Sequence, residues 1–238
     1  MRKTLKEINM PIMQKIIDGI CMNHTGKMEG MWSYSTSCLV NPRCVARMKN
    51  GELICASCFA ANQQSFQCTL REKLIRNFHF ITETEVEVED FPMIPLEQFR
   101  LQSFGEVFNL TELSNYFNFA TRNPKCIFAL WMKDVFIVTM ARKLGWEKPE
   151  NIILIKSSPR LNQIEETDEP WIDKIFTVFE KEFLKNHEVN INCGSNLCLG
   201  CLRCYRHNGI RYINEIKKGG EVNLTKIEDL NIEVAKIN

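Results

Sequence analysis

Eleven cysteines stand in this chain of 238 residues, and eight of them fall into two short groups. The later group is Cys193, Cys198, Cys201 and Cys204, within NCGSNLCLGCLRCYR. The earlier one is Cys38, Cys44, Cys55 and Cys58, within SCLVNPRCVARMKNGELICASCF. Thiolates are soft ligands, and tight sets of four suit zinc or an iron–sulfur cluster. An odd number of cysteines also fits complete disulfide pairing poorly. Metal ligation is therefore the default reading of these sulfurs, ahead of cysteines that bind nothing, and function is expected around bound metal.

The remaining composition is that of an ordinary globular protein, with 45% hydrophobic and 25% charged residues. The length suffices for a full core and for one domain of barrel size. Thirty basic and 29 acidic side chains leave a net charge of +1, so no global basic footprint of the kind that binds phosphate backbones exists. One local run, Arg203, Arg206, His207 and Arg211, reads as a solvated face with a few local contacts. A nucleic-acid or protein-binding patch is its alternative reading. No apolar stretch reaches bilayer length, so no membrane partner is expected. The opening MRKTLKEINMPIMQKIIDG is mixed in polarity and lacks the apolar core of a secretion signal. The expected location is cytoplasmic, where thiols stay reduced.

Along the chain, a short helix is expected around Ile12–Ile17. The first cysteine group lies in a loop-rich stretch, 34–60, punctuated by Asn41-Pro42 and Asn50-Gly51. Leu70, Leu74 and Phe78, four apart, predict an amphipathic helix over 66–80. TETEVEVED, which follows, is an edge strand or an exposed loop. Asn109 is a candidate cap, with Glu112 three positions on, for a helix carrying Leu110, Leu113, Phe117 and Ala120 and stopped by Pro124. CIFALWM (126–132) and NIILIK (151–156) are continuous apolar runs, the kind found in strands buried on both faces. Between them Asp134 is placed to cap a helix ending at Gly145. KIFTVFEK (174–181) and VNINC (189–193) are also strand-like. Strands alternating with helices predict an α/β fold, a partial or complete parallel (β/α) barrel with cysteine-rich metal-binding loops. The whole chain, 1–238, is expected to be one domain, with its α/β core over 96–192 and a cysteine-rich segment over 193–206.

The C-terminal group holds C-x2-C-x2-C with Cys193 five positions before. Structural zinc usually takes two pairs separated by a longer loop. A compact triplet instead follows a loop wrapping one face of a cubane, although the ferredoxin proline is absent. A [4Fe–4S] cluster is the first reading and zinc the second. The N-terminal group, C-x5-C-x10-C-x2-C, is looser, so a cluster and a closed tetrahedral zinc site both stand. If one of its four cysteines is no ligand, a cluster keeps an open iron for a small molecule. Cys21, Cys68 and Cys126 are expected to be structural.

Ligands of parallel α/β folds bind beyond the C-terminal strand ends. There lie Gly105-Glu106 after the strand-like stretch 99–104, with Arg100 and Ser103 beside it, then Lys133-Asp134, and Ser157-Ser158-Pro159-Arg160. Glu106, Lys133 and Arg160 are either surface ion pairs or a polar rim around a small-molecule site.

ICASCFA, followed by FRLQSFGEVFN, PKCIFALWMKD and a late cysteine-rich segment, resembles the phage and mobile-element family called "gene product 88". That family looks like a relative of the radical S-adenosylmethionine (SAM) enzymes. The resemblance spans roughly residues 25–206. It implies that the CxxC with its following aromatic residue and alanine belongs to a cluster site, with SFGE at a strand end above it. On an iron–sulfur enzyme reading of these strand ends, Arg100, Ser103, Gly105, Glu106 and Lys133 are the candidate contacts of a bound cofactor, SAM among them, and a small-molecule ligand or an electron donor is the expected partner. The radical-SAM triplet C-x3-C-x2-C is absent, and Cys44-x10-Cys55-x2-Cys58 stands in its place. The functions that follow are an iron–sulfur enzyme, an electron-transfer or sensing protein, or a zinc-stabilised binding module.

Overall fold

The computed structural model describes residues 11–194, 197–218, 227–230 and 232–236. Most of the charged opening stretch, residues 1–10, and positions 195 and 196 of the second cysteine segment lie outside these. The molecule is built on one seven-stranded sheet whose strands follow one another in chain order. These are β1 (Ile20–Met22), β2 (Trp32–Tyr34), β3 (Gln98–Leu101), β4 (Ile127–Met132), β5 (Ile152–Ser157), β6 (Ile172–Phe179) and β7 (Tyr212–Ile216). Only β1 and β2 pair antiparallel; every pairing from β2 to β7 is parallel. The architecture is thus α/β with a mostly parallel sheet. Among the described residues no helix is long and apolar enough to cross a membrane.

The helices are α1 (Ile12–Gly19), α2 (Pro42–Met48), α3 (Phe59–Phe66), α4 (Cys68–Glu83), α5 (Leu110–Arg122), α6 (Phe136–Lys143), α7 (Lys181–Leu184) and α8 (Cys198–Cys201). Helix α5 starts where the sequence indicates, with Asn109 Oδ1 accepting from the Glu112 amide at 2.9 Å. Asn109 also donates to the Thr82 carbonyl at 3.0 Å, tying α5 to the end of α4. Asn109→Ala is expected to cost about 1–2 kcal/mol in a chemical denaturation curve, through the lost cap alone.

Strands β4 and β5 are buried on both faces, and their alternation defines two layers. Phe128, Leu130, Met132, Ile152 and Leu154 pack against Leu113, Phe117, Ala120, Val138 and Ala141 of α5 and α6. Phe119 stands among Phe91, Phe99 and Phe128, with ring centroids 5.0–5.3 Å away. The opposite face, with Ala129, Trp131, Ile153 and Ile155, is covered by Met31, Leu202 and Tyr205. So the second cysteine segment lies across the sheet face that the helices leave free.

Several expectations are revised. VNINC is no strand: Cys193 makes a single bridge to Glu215. The Asn192 and Cys193 amides bond the Asn214 carbonyl of β7, and asparagine side chains add Asn192 Nδ2 to the Tyr212 carbonyl and Asn214 Nδ2 to the Asn190 carbonyl. The strand expected over 99–104 ends at Leu101, because Gln102 takes a left-handed φ of 59°. Asn41-Pro42 is not a free turn but the cap and first residue of α2, with Asn41 Oδ1 accepting from the Arg43 amide. The helix expected over 66–80 is the body of α4, which runs on to Glu83. Of the two readings of TETEVEVED the loop is the one seen: the chain leaves α4 at Glu83 and runs without a strand into a short turn at Val88–Asp90. Asp134 lies one residue ahead of the α6 cap, Val135, and accepts from the Phe136 amide at 2.9 Å.

Behind the strand ends, Glu112 is fully buried and accepts from Phe108 N (2.7 Å), Tyr116 OH (2.8 Å) and Gln102 Nε2 (2.5 Å). Burial pushes its carboxyl up to about 8 from 4.5, against the pull of those donors. Between these values the unfolded chain has shed the proton while the folded one keeps it. Stability therefore falls as pH rises through that window, by up to a few kcal/mol. Glu112→Gln is expected to flatten this dependence in denaturation curves taken from pH 5 to 8; an unchanged slope would contradict the assignment.

Candidate metal centres

The first cysteine group grows out of β2. From Ser35 to Asn41 the chain is buried throughout, so its polar groups need partners inside the protein. The β3 exit supplies them. Ser35 Oγ accepts from the amides of Ser103 (3.0 Å) and Phe104 (3.3 Å). Gln102 Oε1 accepts from the Thr36 hydroxyl (3.0 Å), and Asn41 Nδ2 donates to the Glu106 carbonyl (2.8 Å). Gly105, at φ +93°, passes so close to Thr36 that a Cβ would stand 2.4 Å from its Oγ1. This clamp fixes where Cys38 leaves the strand.

Around it assemble Cys44 from α2, Cys55 from the turn at Ile54–Ser57, and Cys58 at the cap of α3. Cys38, Cys55, Leu39, Met48 and Ala61 form one buried cluster against which Cys44 and Cys58 pack. Ile227, Leu230 and Ile232 from the far end of the chain close over it, and the Ala235 amide bonds the Val40 carbonyl at 2.8 Å. The thiols sense one another. Burial and neighbouring Cys58 and Cys55 sulfurs raise Cys44, as burial raises Cys55. Cys58 is drawn down to about 6 by the hydrogen bond from Cys38, and then by the Ala61 and Ala60 amides at the start of α3.

Glu106 and Lys133 come to this group as the sequence suggests, but in different capacities. The Glu106 carboxylate, 2% exposed, accepts from the Lys133 amide at 2.9 Å and pairs with Arg47 at 3.3 Å. Arg47 and Arg43 also reach Asp134. Glu106 thus ties α2 to the end of β4. Lys133 Nζ has neither hydrogen bond nor ion pair among the described residues. Burial works against its charge, yet Cys55, Glu106, Cys58 and Cys44 outweigh this and hold its pKa above the usual lysine value. The Lys133 ammonium thus lies within electrostatic reach of three of the four thiols and of the Glu106 carboxylate.

The second group closes on the opposite sheet face. Cys193, Cys198, Cys201 and Cys204 line one cavity together with Lys27, Leu202 and Tyr205. A left-handed Leu202, φ 51°, turns the chain after α8 so that Cys204 comes back toward Cys198. Lys27 Nζ lies 3.3 Å from Cys193 Sγ and 2.7 Å from Glu215. Burial pushes Cys204 up to about 12, with Arg100 pulling the other way.

Arg100 belongs here rather than with Glu106: it stacks on Trp131 at 3.8 Å and acts on Cys198, Cys204 and Tyr205. Ser103 is held by its own amide on Ser35, and its hydroxyl meets only Met28 Sδ, at 3.9 Å. Among the described residues no group of three or more Cys, His, Asp or Glu side chains is placed to hold a metal ion. Comparison with family models, curated proteins and solved structures finds no match.

The other sequence candidates find local partners. Arg160 pairs with Glu165 at 3.1 Å, and the carbonyl of Pro159 before it accepts from the Ile54 amide at 2.9 Å, beside Cys55 of the first group. In the basic run, Arg203 bonds the Asn192 carbonyl, Arg211 the Ile172 carbonyl and His207 the Glu150 carbonyl, the local use expected of it. Cys126 is buried at the mouth of β4, as a small apolar residue; Cys68 is exposed on α4 and Cys21 lies half-buried in β1. Sequence reading missed Gln102, Asn41 and Arg47. The one signal they gave was position, since all three flank the cysteine and SFGE motifs.

Proposed function

We propose that this protein is an iron–sulfur protein carrying a [4Fe–4S] centre at each cysteine group, on a partial (β/α) barrel formed by β2–β7. The barrel reading draws on the unbroken chain-order succession of parallel strands, the order a (β/α) barrel takes. The observation that carries the metal reading is the gathering of two sets of four free cysteines, one in a buried cluster at the strand ends and the other lining one cavity on the opposite sheet face. A mononuclear zinc site asks its ligands to meet at a point. A cubane asks each cysteine for a different iron, so its sulfurs ring a volume.

For the first centre we favour a radical-SAM-like enzyme. Cys44, Cys55 and Cys58 face Lys133. Cys38 Sγ instead accepts from Gln64 Nε2 at 3.1 Å and is 2% exposed. Three ligands leave one iron open, at the C-terminal ends of β2–β4 where parallel folds bind ligands. Such a centre, when bound, would supply the electron for reductive cleavage of SAM held at that iron. The exposed Phe59, stacked on Phe104 at 6.3 Å, offers a flat apolar wall beside Cys58. The phage and mobile-element resemblance supports the same reading; it also fits a cytoplasmic protein.

Incubating anaerobically loaded protein with SAM and dithionite is expected to release 5′-deoxyadenosine. No product, and no change in the reduced centre's paramagnetic resonance on adding SAM, would leave the electron-transfer or sensing alternative with Cys38 as fourth ligand. A colourless, zinc-loaded protein would overturn both in favour of a zinc-stabilised binding module.

A further inference from the structure

The sheet face opposite the helices holds an arginine that the fold does not pay for with a counter-ion. Arg100 stands in β3 between Ser33 and Ala129, its register neighbours on β2 and β4. Both are small, which leaves room for the guanidinium to lie over the Trp131 ring, 3.8 Å from its centroid. Its Nε is buried without an acceptor, and no carboxylate pairs with it among the described residues. The Tyr205 hydroxyl, on a residue 3% exposed, is likewise buried; the Arg100 guanidinium is placed to donate to its oxygen, which leaves the phenol O–H itself without an acceptor. Tyr205 tilts against Trp131 with ring centroids 5.9 Å apart and lines the cavity of the four C-terminal cysteines. Of the nearby cations, Lys27 pairs with Glu215 and also reaches Cys193 Sγ at 3.3 Å, whereas Lys174 is held by Asn208 and the Ile210 carbonyl. A buried donor without an acceptor costs about 1–3 kcal/mol, and more when charged, so two together imply an absent partner.

We infer that Arg100 and Tyr205 are donors to the second iron–sulfur centre, and that they raise its reduction potential above that of the same cluster without them. The inference rests on the cluster reading of Cys193, Cys198, Cys201 and Cys204. Reduction adds one electron to the cluster and no proton, so the reduced state carries one more negative charge. A fixed guanidinium in a water-poor layer stabilises that state more than the oxidised one. The stack on Trp131 holds the guanidinium plane in place without consuming its N–H groups. A phenol O–H acts in the same sense, more weakly because it is neutral. Arg100 and Tyr205 are positioning residues for electron storage, acting through the cluster rather than on a substrate.

The test uses the full chain, loaded anaerobically, with iron counted per chain and the potential read by paramagnetic resonance during titration with dithionite and mediator dyes. A variant lacking Cys198 and Cys201 assigns the second centre's signal. In Arg100→Gln the iron count is expected to stay at the wild-type value while that centre becomes harder to reduce. The expected drop is about tenfold or more in the reduction equilibrium, about 59 mV for one electron. Tyr205→Phe, which keeps the ring and its packing, is expected to shift it the same way by less. Arg100→Lys, which keeps the charge, is expected to fall between Arg100→Gln and wild type. Unchanged potentials in both Arg100→Gln and Tyr205→Phe, with iron retained, would overturn this inference and leave the cluster reading standing. A wild-type iron count equal to that of the Cys198/Cys201 variant would overturn the cluster reading itself, and this inference with it.

Discussion

Replacing Cys55 and Cys58 together by alanine is expected to remove one of the two centres while the other persists. Iron bound after anaerobic loading should fall from about eight per chain to about four, the content of one cubane. The two residues sit in the turn at Ile54–Ser57 and at the cap of α3, packed on Met48 and Ala61. Alanine there removes the sulfurs but leaves Leu39, Val45 and Leu53 to fill the layer. Circular dichroism should therefore report a retained fold. Deoxyadenosine formation should vanish with the same change, since the open iron lies in this group. Iron content that stays at the wild-type level in the double variant would mean that these thiols are not ligands.

Gly105→Ala should have the largest effect on stability of any single methyl added to this chain. The position has φ +93°, a conformation L side chains rarely adopt, and a Cβ would meet Thr36 Oγ1 at 2.4 Å, Gln102 Oε1 at 2.5 Å and the Thr36 carbonyl at 2.8 Å. The last is backbone and cannot swing away. Strain and overpacking together are expected to cost about 2–5 kcal/mol, lowering Tm by roughly 5–15 °C. The damage should also spread to the first centre, because the same loop carries Glu106, whose carboxylate ties Arg47 to the Lys133 amide. A variant that melts within about 1 °C of wild type would show that the clamp between Thr36 and the SFGE loop is looser than described.

The parts of the fold legible in the sequence were those fixed by long apolar runs or by local capping. CIFALWM and NIILIK appear as β4 and β5 because both faces of each are covered, and continuous hydrophobicity is the direct consequence. Helix α5 was legible from Asn109 and Glu112, a contact three residues long. Strands β1, β2 and β7 were not. WSY has three residues, too few for any period, and YINEI pairs through a backbone whose side chains read as a polar loop. VNINC misled for the opposite reason: its alternation is real, but it meets β7 through the Asn192 and Cys193 amides and through asparagine side chains rather than through a continuous ladder.

The candidate site was legible in its sulfurs and opaque in its supports. Cysteine spacing named both groups, because ligands must recur within a loop's reach. That Arg100 belongs with the second group rather than with Glu106 depends on which sheet face a β3 side chain takes, and on the C-terminal segment folding over that face. Neither is written locally. Gln102, which bridges Thr36 to Glu112 and Tyr116, is one residue past a strand end and carries no motif of its own.

Metal and spectroscopic analysis of the protein purified without air tests the central claim most directly. Two iron–sulfur centres predict a brown protein with about eight irons and eight sulfides per chain, and two paramagnetic signals after dithionite reduction. A colourless protein holding zinc, or no metal at all, with its thiols free to titrate, would contradict it.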